Sequence, residues 1–224
     1  MRASARDALI EGWPLFLTSF VIGVPFGIAA RRAGLGAIEA SGMSVIVFAG
    51  AAQFAMLDLF ARGAPAALVV ATALLINLRH LLMATAMRPF AEGRALWQRL
   101  AIAYVLTDES FAMGIGRLRR GTADVAYYLT FAFTLWLAWN AATIVGATLG
   151  GAVTDPDRLG LDFAITGAFI AIVVLGIRDR VDVAVALAAA LAAGALRLAG
   201  ASSVAVVAAG AIAPLVAAAV RRVR

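Results

Sequence analysis

Apolar runs of about twenty residues, separated only by short polar breaks, fill this chain and leave few folds open to it. In hydrocarbon every backbone N–H and C=O must find its partner inside the protein, and a run of about 20 residues at 1.5 Å rise spans the membrane core as a helix. The runs fall at roughly 13–30, 41–60, 65–87, 100–116, 125–150, 161–177, 182–199 and 201–220. Eight spans is the expected count. Seven is the alternative, because the last two runs are Ala-rich, broken by Arg197 and separated only around Gly200. Composition agrees: 63% of residues are hydrophobic and 14% charged, against about 45–50% and 25% in soluble domains. The mean hydropathy is +0.95. The expected fold is an all-α integral membrane protein, one transmembrane domain over 1–224, with some helices discontinuous.

The residues that are missing exclude several chemistries. All 19 basic residues are Arg, so no lysine amine exists to form a Schiff base. Without Cys there are no disulfides, thiolate nucleophiles or thiolate metal ligands. A single His without a second nearby ligand argues against structural zinc. No metal or other cofactor is expected. The net charge of +6 sits mainly between spans and at the termini, which suits the positive-inside rule rather than nucleic acid. Asp7 and Glu11 precede the first run and no small-x-small cleavage pattern follows it, so the run reads as a retained span.

With eight spans, the side carrying both termini holds Arg2, Arg6, Arg62, Arg117, Arg119, Arg120, Arg178, Arg180, Arg221, Arg222 and Arg224. The other side holds Arg31, Arg32, Arg88, Arg94, Arg99, Arg158 and Arg197, so the count is eleven against seven. That balance puts both termini in the cytoplasm. A faint internal echo, with residues 23 and 74 against 140 and 191, has an offset of about 117 residues. It suggests a repeat of four helices with halves 13–117 and 125–220, as transporters often carry.

Four stretches break the apolar pattern. GVPFG (Gly23, Pro25, Phe26, Gly27) reads either as a proline kink or as an unwound segment whose free backbone faces a cavity. The second reading is preferred. FAGAAQF (Phe48, Gly50, Gln53, Phe54) combines small residues for close helix packing with an amide able to bond across helices or to a ligand. LLINLRHLLM places Asn77, Arg79 and His80 near mid-span. Arg79 lies about 12 Å of helix from the nearer end, beyond comfortable snorkelling. A charge at that depth costs roughly 2.5–3.5 kcal/mol and calls for a partner. VLTDESFAMG supplies Asp108 and Glu109 on the next span. An Arg79–Asp108 pair is expected. A pair serving structure alone leaves Glu109, His80, Asn77 and Gln53 unexplained.

PFGIAARRAG (25–34), MSVIVFAGAAQF (43–54), LLINLRHLLM (74–83) and LTDESFA (106–112), in that order and spacing, resemble the AzlC/YgaZ family over about residues 14–165. The resemblance implies a bacterial inner-membrane permease exporting leucine, isoleucine and valine, together with a small membrane subunit of the AzlD/YgaH type.

The residues then read as a carrier for a zwitterion with an aliphatic side chain. Unwound backbone near Pro25 and the Gln53 amide serve its charged ends, and Phe26, Phe48 and Phe54 shape the apolar pocket. Arg79, His80, Asp108 and Glu109 serve pairing and coupling, histidine being the side chain that titrates near neutrality. The chain reads as a non-enzyme, and an ATP-driven pump is disfavoured because no phosphate-binding loop is present. Two rivals stand beside the carrier: a channel or structural subunit, and an intramembrane hydrolase built on Ser44, His80 and Asp108.

Overall fold

The computed structural model describes residues 2–122, 124–152 and 179–200, with Ile170, Val174 and Ile177. The described residues are helical, without strands. In order they form α1 (Arg2–Arg32), α2 (Ala37–Val47), α3 (Gly50–Ala61), α4 (Ala66–Asn77), α5 (Arg79–Ala86), α6 (Arg88–Ala91), α7 (Leu96–Tyr104), α8 (Asp108–Arg119), α9 (Val125–Ala152) and α10 (Arg180–Leu198). Among the described residues, four stretches are long and apolar enough to cross a membrane as they stand: Ser4–Arg32, Ala66–Ala86, Val125–Gly151 and Arg180–Leu198. The expected span 201–220, and all of 161–177 but Ile170, Val174 and Ile177, lie outside the described residues, and with them part of the second half of the suggested repeat.

Two expected spans are split by a non-helical break, whereas 65–87, as α4 and α5, turns only at Leu78, whose backbone stays right-handed helical. The run 41–60 is α2 and α3, interrupted at Phe48–Ala49, and the run 100–116 is α7 and α8, interrupted at Val105–Thr107. Each piece is 9 to 12 residues, about 14–18 Å, roughly half of a 30 Å hydrocarbon core.

The discontinuity expected at GVPFG is absent. α1 runs unbroken for 31 residues through Pro14 and Pro25. Gly23 and Gly27 are instead packing positions against α9. A Cβ on Gly23 would lie 2.8 Å from the Ala142 Cβ, and one on Gly27 would lie 2.6 Å from the Ala147 nitrogen. From the other side, a Cβ on Gly146 would meet the Val24 carbonyl and lie 3.1 Å from Gly27 Cα. Small residues at spacing four on both helices let the two backbones touch, which is how helices gain van der Waals energy in lipid. Sequence alone could not separate the two uses, because glycines that ease unwinding also admit a neighbouring backbone.

The face of α9 that continues this interface carries Tyr127, Phe131, Leu135 and Trp139, four residues apart and all buried. They form the core with Phe26, Phe54 and the small residues of α1. Expected outcome: Gly27→Val lowers the unfolding midpoint of the detergent-solubilised protein by the equivalent of about 1–3 kcal/mol, the range for overpacking a filled core. Gly42→Ala, in open space on α2, leaves it unchanged in the same melt.

Candidate functional site

A cavity of about 180 Å³ lies halfway along α1 and α9, where the two broken spans meet them. It is smaller than the roughly 300–1,000 Å³ of drug-sized ligand pockets and suits a small solute. α1 contributes Leu15, Thr18, Ser19 and Ile22, and α9 contributes Leu135 and Trp139. Phe48, Ala49, Gly50 and Ala51 line it from the α2–α3 break, and Thr107, Asp108 and Glu109 from the start of α8. Arg79 and His80 complete it from the start of α5.

The α2–α3 break is held by side chains. Phe48 is left-handed, at φ 38° and ψ 48°, a region unfavourable for a residue with a Cβ and persistent only where surroundings enforce it. Gln53 enforces it: its Oε1 accepts from the Ala49 N–H at 3.2 Å, and its Nε2 donates to Ser44 Oγ at 3.3 Å. Ser44 Oγ lies 2.8 Å from Thr143 Oγ1, which donates to the Trp139 carbonyl at 3.0 Å. The Thr143 proton is committed to that carbonyl, so the Ser44 hydroxyl donates to Thr143 and the chain runs one way. Ser44, Gln53 and Thr143 are all fully buried. The N-terminus of α3 has no side-chain cap, so Gly50 and Ala51 bring N–H groups without helical partners to the cavity wall.

The α7–α8 break caps itself. Thr107 Oγ1 accepts from the Ser110 N–H at 3.3 Å and Ser110 Oγ accepts from the Thr107 N–H at 2.8 Å, a reciprocal box. Ser110 Oγ also donates to the Val105 carbonyl at 2.9 Å. Tyr104, at the end of α7, bonds to the Val45 carbonyl of α2 and accepts from Trp136 Nε1 at 2.9 Å. Asp108 and Glu109 therefore occupy the first turn of a helix, where its dipole favours negative charge, rather than the middle of one.

Arg79 Nη2 lies 3.1 Å from Asp108 Oδ2, and the two side chains are 39% and 55% exposed. Glu109 has no salt bridge among the described residues. His80 Nδ1 is 3.0 Å from the Asn77 carbonyl. A carbonyl only accepts, so Nδ1 carries the proton and Nε2 is left free.

The cavity thus gathers Phe48, Gly50, Arg79, His80, Asp108 and Glu109 of the residues singled out from sequence. Gln53 does not line it and is a strut of the break. Phe26 and Phe54 stand behind the wall, in ring contact with each other, and Gly23, Pro25 and Gly27 belong to the helix interface. Asn77 does not line it either, and its side-chain oxygen is buried without a hydrogen-bond partner among the described residues. Thr18, Ser19, Leu135 and Trp139 were not anticipated, because nothing in an apolar or singly polar helix position marks which face meets a cavity. The break at 105–107 did carry a signal in Thr107 followed by two acids and Ser110, a helix-start pattern. The Ser44–His80 arrangement of a hydrolase is absent, since the Ser44 hydroxyl is sealed in the relay to Thr143 and Gln53.

A family model described as AzlC protein matches residues 14–153, well over half of the chain. The chain belongs to the AzlC family. Its relatives include an uncharacterized membrane protein of Archaeoglobus fulgidus, 27% identical over 215 residues that cover 95% of this chain and 94% of the relative. The inner membrane protein YgaZ of Escherichia coli is 27% identical over 66% of this chain and 62% of its own length. The branched-chain amino acid transport protein AzlC of Bacillus subtilis is 27% identical over 76% of this chain and 66% of its own length. The match therefore spans just under two thirds of the last two relatives. No solved structure matches the chain. The AzlC-family match covers both broken spans and every cavity-lining residue.

Two outcomes follow for the AzlC-family site. Gln53→Leu orphans the Ala49 N–H and should destabilise the solubilised protein by about 1–3 kcal/mol, read by thermal melting. For Arg79→Gln, Asp108→Asn and the double variant, the coupling should be about 1 kcal/mol, because both side chains are more than a third exposed. A sealed pair would show the loss of about 3–5 kcal/mol expected for an orphaned buried charge. Strict additivity of the two single changes would mean that the contact contributes nothing.

Proposed function

We propose that this AzlC-family protein is a secondary carrier exporting branched-chain amino acids across the bacterial inner membrane, with a small AzlD-type membrane subunit as partner. The observation that carries this reading is the cavity itself, which sets charges of both signs beside an apolar wall at mid-depth of α1 and α9. The transport name of the Bacillus subtilis relative supports the substrate class.

A free amino acid has a carboxylate, an ammonium and a side chain, and the cavity has a wall for each. The N–H groups of Gly50 and Ala51 at the start of α3, together with Arg79, take the carboxylate. Glu109, which has no ion pair among the described residues, takes the ammonium or a coupling proton, while Asp108 neutralises Arg79. Phe48, Leu135 and Trp139 receive the aliphatic side chain. Pieces of discontinuous helices meeting at mid-membrane are how many secondary transporters build their sites. Both termini face the cytoplasm in this reading. The arginine balance supports it, and Glu11 meeting Arg117 supports one side for the N-terminus and the loop after α8.

The experiment is counterflow of labelled leucine in proteoliposomes, with and without the small subunit. Exchange stimulated by internal leucine supports a carrier, whereas uptake indifferent to internal leucine supports the channel reading. If Glu109 carries the coupling proton, Glu109→Gln removes acceleration by a pH gradient at least tenfold and retains leucine–leucine exchange. His80→Gln keeps both in this assignment, because the proton then rides on Glu109 and the imidazole serves only its hydrogen bond to the Asn77 carbonyl. The reverse pattern assigns the proton to His80.

A further inference from the structure

Trp139 is held from two sides. Its ring stacks on Phe26, with centroids 5.9 Å apart and planes at 27°, and Phe26 meets Phe54 edge-on at 5.4 Å and 84°. Phe26 is fully buried and Phe54 is 3% exposed, so the indole is backed by buried aromatic rings rather than by solvent. In front of it stands Gly50, where a Cβ would lie 3.0 Å from Trp139 Cη2 and 3.5 Å from Cζ2 and Cζ3. Trp139 and Gly50 both line the cavity. Gly50 is also the first residue of α3, next to the N–H groups assigned to the substrate carboxylate.

We infer that Trp139, pressed against Gly50 by the Phe26–Phe54 pair, sets the upper size limit of the aliphatic side chain that this cavity accepts. The inference rests on the amino-acid reading above. An amino acid whose carboxylate lies on the α3 N-terminus extends its side chain beside Gly50, where the indole is the nearest large surface. A stacked ring in a core at interior packing density yields little. The wall therefore excludes larger substrates sterically instead of adapting to them. Trp139 is the specificity-determining residue, and Phe26 is a positioning residue that acts through it. Gly50 leaves the gap that an extra methyl would close.

The test is competition against labelled leucine counterflow by alanine, valine, leucine, methionine and phenylalanine, using the full-length protein in proteoliposomes. One methylene in an apolar pocket is worth about 10–200-fold in discrimination. Trp139→Phe should therefore shift the preference toward methionine and phenylalanine over leucine about tenfold. Gly50→Ala should shift it about tenfold the other way, toward alanine and valine. Phe26→Leu should move the ratios in the Trp139→Phe direction while Trp139 itself is intact, a change that lost stability alone would not produce. Unmoved ratios in an active Gly50→Ala protein overturn the inference, even if Trp139→Phe fails to fold. A wild type that exchanges leucine but shows unmoved ratios in the variants overturns this inference alone. A wild type inert toward every amino acid overturns the amino-acid reading and this inference with it.

Discussion

A helix can stop and restart inside a bilayer only where the protein itself takes up the N–H and C=O groups that the interruption frees. At Phe48–Ala49 that condition is met by one amide. Gln53 reaches back to the Ala49 N–H and forward to Ser44, and Ser44 leans on Thr143 of α9. The left-handed Phe48, the cavity-lining start of α3 at Gly50 and Ala51, and the placement of α2 beside α9 all depend on this relay. The relay in turn requires α9 to sit at a fixed depth. The contacts of Gly23 with Ala142 and of Gly27 with Gly146 set that depth, since two touching backbones have little room to slide.

The charges obey a different constraint. Asp108 and Glu109 begin α8, where the exposed N–H groups stabilise carboxylates without any counter-ion. Arg79 follows the single-residue turn at Leu78, whose backbone stays right-handed helical, so it lies within the Ala66–Ala86 stretch and has no helix end to stabilise its charge. The ion pair is therefore asymmetric in what it supplies: Arg79 depends on Asp108 more than Asp108 depends on Arg79. That leaves Glu109 stabilised by its helix and, among the described residues, unpaired.

How much of this was legible in the sequence depended on whether a residue's requirement was local. An arginine within an apolar run needs an anion, and Asp108 on the next run was the economical partner for Arg79. The all-helical membrane fold followed equally directly from run length. The break at 105–107 was written in Thr107 and Ser110 but masked by the apolar residues around them, which made the run look continuous. The break at 48–49 carried no local mark, because its strained residue is a phenylalanine rather than a glycine. Its support also comes from Thr143, 99 positions from Ser44. GVPFG misled for a physical reason: closely spaced small residues make a helix easy to unwind and equally easy to pack. The neighbour decides which, and α9 is that neighbour. Of the two uses open to Gln53, bonding within the protein or to a ligand, the structure shows the first, since a buried amide serves a backbone as readily as a ligand.

α8 joins the cavity to the end of the bundle where α1 starts. Its first turn holds Asp108 and Glu109, and its middle is seated through Gly114, where a Cβ would lie 2.9 Å from Met87 and 3.0 Å from Tyr128. Near its other end Arg117 donates to Glu11 at 2.7 Å and stacks 3.7 Å above the Tyr127 ring, while the Tyr127 hydroxyl donates to the second Glu11 oxygen at 2.7 Å. Glu11 thus ties α1, α8 and α9 with one carboxylate. A helix of 12 residues is rigid over its roughly 18 Å, so its acids cannot be displaced as a backbone unit while Gly114 and Arg117 stay in place. Any rearrangement of the cavity larger than side-chain motion must therefore also exchange the Glu11 contacts, which couples the polar cluster at the helix ends to the charges at mid-depth.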